Sequence, residues 1–153
     1  ARATMNLRYM LDTNICIYIM KNRPAYLAPI FDEHSRELCV SSVTVMELQY
    51  GVENSQQRVT NADKLDSFLA RLNILNYDAD AAYHTALIRH HLKEKGTPIG
   101  PYDQMIAGHA KCHGLTVVTN NTSEFERVPG LISENWLQQP PQSSVNEPSP
   151  SYR

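Results

Sequence analysis

Asp12, Glu47, Asp103 and Glu124 are the side chains of this sequence best suited to chemistry, and their neighbours make them a set. Asp12 closes an apolar run and precedes Thr13 and Asn14, Glu47 follows Ser42 and Thr44, Asp103 follows Gly100-Pro101-Tyr102, and Glu124 follows Thr119-Asn120-Asn121. Taken singly, each has a structural explanation. Asp12 and Asp103 suit helix caps or dipole partners, Ser42 or Thr44 with Glu47 suits a capping box, and Asn121 suits a turn. Taken together they present a charge problem, because two carboxylates ~4 Å apart at a surface-like dielectric repel by about 4 kcal/mol. A divalent cation resolves it. Oxygen ligands without a thiolate or imidazole pattern select Mg²⁺, with Mn²⁺ as a substitute, over Zn²⁺. A hydrated Mg²⁺ beside carboxylates suits phosphodiester hydrolysis, since it neutralises phosphate and acidifies an attacking water.

Such a set converges only if the elements carrying it share one edge. Apolar runs predict strands over 7–11, 38–41, 74–75 and 115–119, with a small edge strand over 130–133. Helical patterns separate them. One is expected over 15–21 with Asn14 as its cap, one from Pro24, one over 43–53 capped by Ser42 or Thr44, and one over 56–72. On the next helix Ala79, Ala82, Tyr83, Ala86, Leu87 and His90 share one face and Gly96 supplies the stop, and a last helix runs over 102–113. Strands alternating with helices predict an α/β fold, a mostly parallel sheet of four or five strands with helices on both faces. Ligands gather beyond the carboxyl ends of such strands, where all four acids would fall.

The sequence has 153 residues, 14 Lys+Arg against 16 Asp+Glu and a net charge of −2, which describes one ordinary domain and removes a whole-protein electrostatic case for nucleic-acid binding. A local basic rim stays open. No apolar stretch approaches the ~20 residues that span a bilayer and no signal-peptide pattern opens the chain, so a cytoplasmic protein with no membrane association is expected. Cys16, Cys39 and Cys112 are odd in number and lack C-x-x-C spacing, which reads as reduced thiols. Residues 1–4 precede Met5 and read as a possible expression remnant; 5–137 read as the folded domain, and 138–153, rich in Pro, Ser and Gln, as an extended or disordered tail.

Four segments, Met10-Leu11-Asp12-Thr13-Asn14, the run from Ser41 through Glu47 to Gly51, the run from Gly100 through Asp103 to Ala107, and Val118-Thr119-Asn120-Asn121-x-x-Glu124-Phe125, resemble in order and spacing the PIN-domain ribonucleases, most closely the VapC toxins. The resemblance implies a PIN-like three-layer sandwich and a Mg²⁺-dependent endoribonuclease, usually a homodimer. It also implies inhibition by a VapB-type antitoxin, with DNA contacted only through that partner, and a tRNA substrate, the anticodon loop of initiator tRNA. By the same resemblance Asp12 and Asp103 become metal ligands, Glu47 a ligand through water or the group that orients the nucleophile, and Glu124 the fourth acid. Thr13, Asn14, Thr119 and Asn121 become supporting residues. Asn120 and Asn121 stand where many members carry an aspartate, which implies one resident ion and any second arriving with the RNA.

Lys21, Arg23, Arg89, Lys93, Lys95 and Arg127, in or near the segments that flank the site, are the candidate RNA contacts, Lys21, Arg23 and Arg127 first among them; the alternative for each is a solvated surface cation. Tyr18 and Tyr102 could stack on bases or belong to the core. His109 and His113 have the i, i+4 spacing of a metal pair but no accompanying Glu, so packing or surface roles are expected. His90 and His91 with Lys93 and Lys95 are explained by a helix C-terminus. The helices after Pro24 and from Gln56 are expected antitoxin or dimer contacts. Two other functions fit an acidic sheet edge: a haloacid-dehalogenase-like phosphatase, which needs an acid where Asn14 stands, and a Mg²⁺-binding module without catalysis.

Overall fold

A computed structural model describes residues 6–137 of the protein. The element order is β1 (Tyr9–Leu11), α1 (Thr13–Met20), α2 (Leu27–Glu33), β2 (Leu38–Ser41), α3 (Ser42–Glu53), α4 (Arg58–Leu69), β3 (Asn73–Leu75), α5 (Ala79–Lys95), α6 (Pro101–Cys112), β4 (Thr116–Val118), α7 (Thr122–Phe125) and β5 (Ser133–Glu134). The five strands form one sheet in the order β3-β2-β1-β4-β5, and every neighbouring pair is parallel. Parallel neighbours need crossover helices, so the sheet is covered on both faces and its central strands are apolar throughout. Tyr9, Met10 and Leu11 are all buried, as are Leu38 to Val40.

Two apolar cores result, one on each face. Leu11, Ile15, Phe31, Val40, Leu48, Leu65 and Phe68 pack beneath α1 to α4, while Met10, Cys39, Ile88, Leu92, Ile106 and Val117 pack beneath α5 and α6. Helices α5 and α6 approach most closely at Gly108, where a Cβ would stand 2.7 Å from the Thr85 backbone nitrogen. At the other end of the sheet Trp136 packs with Tyr9 and His34, at ring centroid distances of 5.4 and 5.3 Å, and Tyr26 donates to the Leu137 carbonyl. Cys16, Cys39 and Cys112 are free thiols, and burial raises all three.

Several expectations shift. The α5 face shared by Ala79, Ala82, Tyr83, Ala86, Leu87 and His90 points to solvent, with Tyr83 63% and Leu87 53% exposed. The buried positions of α5 are Ala81, Ile88 and Leu92. Helix α1 is capped by Asp12, whose Oδ1 accepts from the Ile15 amide at 2.9 Å, and Asn14 is an exposed helical residue. The cap of α3 is Ser41, not Ser42 or Thr44, since Ser41 Oγ accepts from the Val43 amide at 3.0 Å. Helix α2 begins three residues after Pro24, and α4 is shorter at both ends than 56–72. The last strand is Ser133–Glu134, because the turn at Gly130 precedes it. Residues 1–5 and the tail expected over 138–153 lie outside the described residues.

Candidate active site

The site grows from the carboxyl ends of the three inner strands, β1, β2 and β4, and from the opening turns of α3, α6 and α7 beside them. Asp12 leaves β1 with its amide donating to the Val118 carbonyl of β4 at 3.0 Å while its side chain caps α1, so backbone and side chain are both fixed. It is 3% exposed. Ser41 ends β2 and starts α3, which carries Glu47 one turn and a half along, half-buried. The Thr13 hydroxyl donates to Glu47 Oε1 at 2.5 Å and lies 3.3 Å from the Thr44 hydroxyl. Helix α6 starts with Pro101 at its first position, where no amide donor is lost, and Asp103 sits in that first turn. Thr119, buried at the end of β4, accepts from the Asn121 amide at 2.8 Å, which turns the chain into α7 and its Glu124.

The four acids lie within electrostatic reach of one another in a chain: Asp12 feels Asp103 and Glu47, and Asp103 feels Glu47 and Glu124. Burial pushes Asp12 up to about 7; the Thr119 hydroxyl and the Ile15 amide oppose the rise, and the charges of Asp103 and Glu47 add to it. Burial also pushes Asp103 up to about 6, with Glu124 and Glu47 adding to the rise. Each carboxylate thus feels the next, and no basic side chain is among the causes of either shift. Among the described residues no three His, Cys, Asp or Glu side chains close on one point as a ready chelate. A Mg²⁺ ion does not require that, because it keeps several waters and takes only one or two carboxylates directly. The donors here are hard oxygens, and Asn120 Oδ1, in the turn after β4, is a buried acceptor without a hydrogen-bond partner among the described residues. A hydrated cation fits all three observations.

The remaining candidates divide. Lys21 and Arg23 are exposed just beyond α1, and Lys21 lines a groove of about 320 Å³ with Glu47, Ile17, Leu48, Val52 and Lys64. Sequence offered no sign of Lys64, which belongs to no motif. Arg127 donates to the Pro98 carbonyl at 3.0 Å, tying the turn after α7 to the loop that precedes Asp103. Tyr18 is half-buried against the core, whereas Tyr102 is exposed beside Asp103. His109 is wholly buried with Nδ1 2.8 Å from Ser41 Oγ, and burial holds it down at about 4, so it is a packing residue and not half of a metal pair.

The PIN-domain family matches residues 9–131. The chain is 53% identical over 130 residues to the tRNA(fMet)-specific endonuclease VapC of Shigella flexneri, spanning 85% of this chain and 98% of that protein. Among solved structures it resembles the DNA-bound VapBC of Salmonella typhimurium, with a TM-score of 0.82, 52% identity, and 85% and 98% of the two chains covered. It also resembles the VapBC2 of Rickettsia felis bound to a DNA fragment from its promoter, with a TM-score of 0.81 and 40% identity over 85% and 99% of the two chains.

Proposed function

This chain belongs to the PIN-domain family, and on that premise we propose that it is a Mg²⁺-dependent endoribonuclease, the toxin of a VapBC-type toxin–antitoxin pair, acting in the cytoplasm on tRNA. The observation that carries the proposal is the meeting of Asp12, Glu47, Asp103 and Glu124, from four separate segments, at one edge of a parallel sheet, with two of them held far above ordinary carboxyl values. Asp12 and Asp103 hold the ion, and Mn²⁺ substitutes for it. When bound, the ion supplies charge neutralisation at the phosphate and a water acidic enough to attack at neutral pH. Glu47 would orient an attacking water by accepting a hydrogen bond from it. Glu124 would add negative charge beside Asp103 and so favour a cation there. A water oxygen would bond to phosphorus as the bond from phosphorus to the 3′ oxygen breaks, the water giving up a proton to solvent and the leaving 3′ oxygen taking one from solvent, which leaves a 3′-hydroxyl and a 5′-phosphate.

With a net charge of −2 the protein has no bulk attraction for long RNA, so recognition falls to a folded RNA that presents an unpaired loop. The name of the Shigella relative makes initiator tRNA the first candidate, and its anticodon loop the segment cut. Lys21 and Arg23 stand at the site's rim as phosphate contacts. The antitoxin is proposed to occupy the groove between α1, α3 and α4, whose apolar floor ends at Glu47. A second copy is proposed to cover the exposed face of α5 carrying Tyr83 and Leu87. Incubating antitoxin-free protein with total tRNA and Mg²⁺, then mapping the ends, tests the activity. Cleavage that persists in excess EDTA, or cyclic 2′,3′-phosphate ends, overturns the chemistry; clean cleavage of another RNA overturns only the substrate.

A further inference from the structure

We propose that Thr13 is a positioning residue for Glu47, and that the chain Thr44–Thr13–Glu47 commits one oxygen of that carboxylate so that only the other serves the reaction. A threonine hydroxyl carries a single proton. Thr13 gives its proton to Glu47 Oε1 across 2.5 Å, which leaves the Thr44 hydroxyl, 3.3 Å away, as the donor to Thr13. Thr44 is wholly buried and shares a face of α3 with Glu47 at i, i+3, so the chain is anchored in the core at its far end. Its middle member is the first residue of α1, directly after Asp12. One side chain therefore indexes Asp12 and Glu47 to each other, although the bond it makes spans 34 residues of sequence.

The alternative placement for Glu47 is close by. Its side chain is half-buried and also lines the groove that Lys21 and Lys64 line, so without a fixed donor its carboxylate has cations to turn towards and staggered rotamers to reach them. The Thr13 hydroxyl holds the rotamer in which the Glu47 charge reaches Asp12. Because Oε1 is occupied, Oε2 is the oxygen that meets the attacking water, in one geometry.

The link itself is read without any cleavage. In metal-free protein the Thr13 hydroxyl proton is expected as a protected NMR resonance that is lost in Glu47→Ala. The kinetic part rests on the endoribonuclease proposal. Thr13→Val is expected to lower kcat about tenfold, with KM for the RNA within about twofold, the size expected when a reacting group loses its orientation. Its melting temperature falls by about 3–6 °C, because the buried Thr44 hydroxyl loses its acceptor, and Thr13→Ser restores that temperature and returns kcat to within about threefold of the native value, because the hydroxyl and not the methyl group carries the effect. A native kcat in Thr13→Val, an equal loss in Thr13→Ser, or a Thr13 hydroxyl that exchanges as fast in the native protein as in Glu47→Ala overturns the inference. A native protein that cuts no RNA sinks the nuclease proposal instead, and the hydroxyl resonance then decides the Thr13–Glu47 link alone.

Discussion

Burial pushes Asp12 up to about 7 and Asp103 to about 6, and the sign of those shifts fixes how the metal-free protein answers pH. A carboxyl whose folded value lies above its unfolded one binds its proton more tightly in the native state. Its contribution to stability is full below the ordinary value of 3.8 and is lost as pH rises through about 7. Asp12→Asn keeps an oxygen to cap α1 and removes the charge, so it is expected to melt about 3–6 °C above the native protein at pH 8, a gain on the order of 1–2 kcal/mol. The gap should vanish near pH 4, and Mg²⁺ should narrow it by stabilising only the native protein. Calorimetry across pH checks this. Cleavage by Asp12→Asn or Asp103→Asn should fall about a thousandfold or more, read on labelled tRNA. The four acids were legible in sequence, Asp12, Glu47 and Glu124 because each lies shortly after an apolar run, where a parallel sheet collects ligands, and Asp103 because it opens a helix after a Gly-Pro loop. The Thr13–Glu47 bond was not, since nothing local distinguishes it from the capping box that Thr44 and Glu47 also spell. Arg127 reads as a rim cation, and only the fold brings the Pro98 carbonyl to it.

The order and type of the elements followed from period and punctuation, whereas their faces did not. Helix α5 shows why: its small and apolar residues fall on two sides, and sequence does not say which side α6 will take. The answer lies on the partner helix, where Gly108 lets the backbones close against Thr85. Gly108→Ala forces a Cβ into the Thr85 backbone and should cost about 2–3 kcal/mol, measured as a lower denaturant midpoint at unchanged slope. The opposite face of α5 makes a different prediction. Leu87→Glu removes no core contact and should leave the melting temperature within about 2 °C, while converting a dimer into a monomer by light scattering. A protein that is already monomeric at micromolar concentration counts against that surface. Cap positions differed for one reason: Asp12 directly follows a buried strand and Ser41 ends one, and their side chains reach the helix amides before those of Asn14 or Ser42 do.

On the scale of the whole molecule, the groove and the acidic edge adjoin, so a peptide lying in one can end in the other. Gly51 lines that groove and a Cβ there meets nothing within 4 Å, which allows a large side chain to enter without disturbing α3. Gly51→Trp should therefore fold and cleave as the native protein does, yet bind its antitoxin about tenfold or more weakly, since the added ring takes the space of a central contact. Titrating antitoxin against cleavage by both forms reads the difference directly; equal inhibition places the antitoxin elsewhere. The strand order has a consequence in time. β1 pairs early in the chain with β2, but its other flank waits for β4, and with β4 come the carbonyl that holds the Asp12 amide, Thr119 and then Glu124. A ribosome making this chain thus carries three of the acids in an unfinished pocket until synthesis has passed residue 118, and a pairing of such long sequence separation closes slowly. On the proposed function, the newborn protein would be inactive until nearly the whole domain has been released, an interval in which an antitoxin already present could bind first.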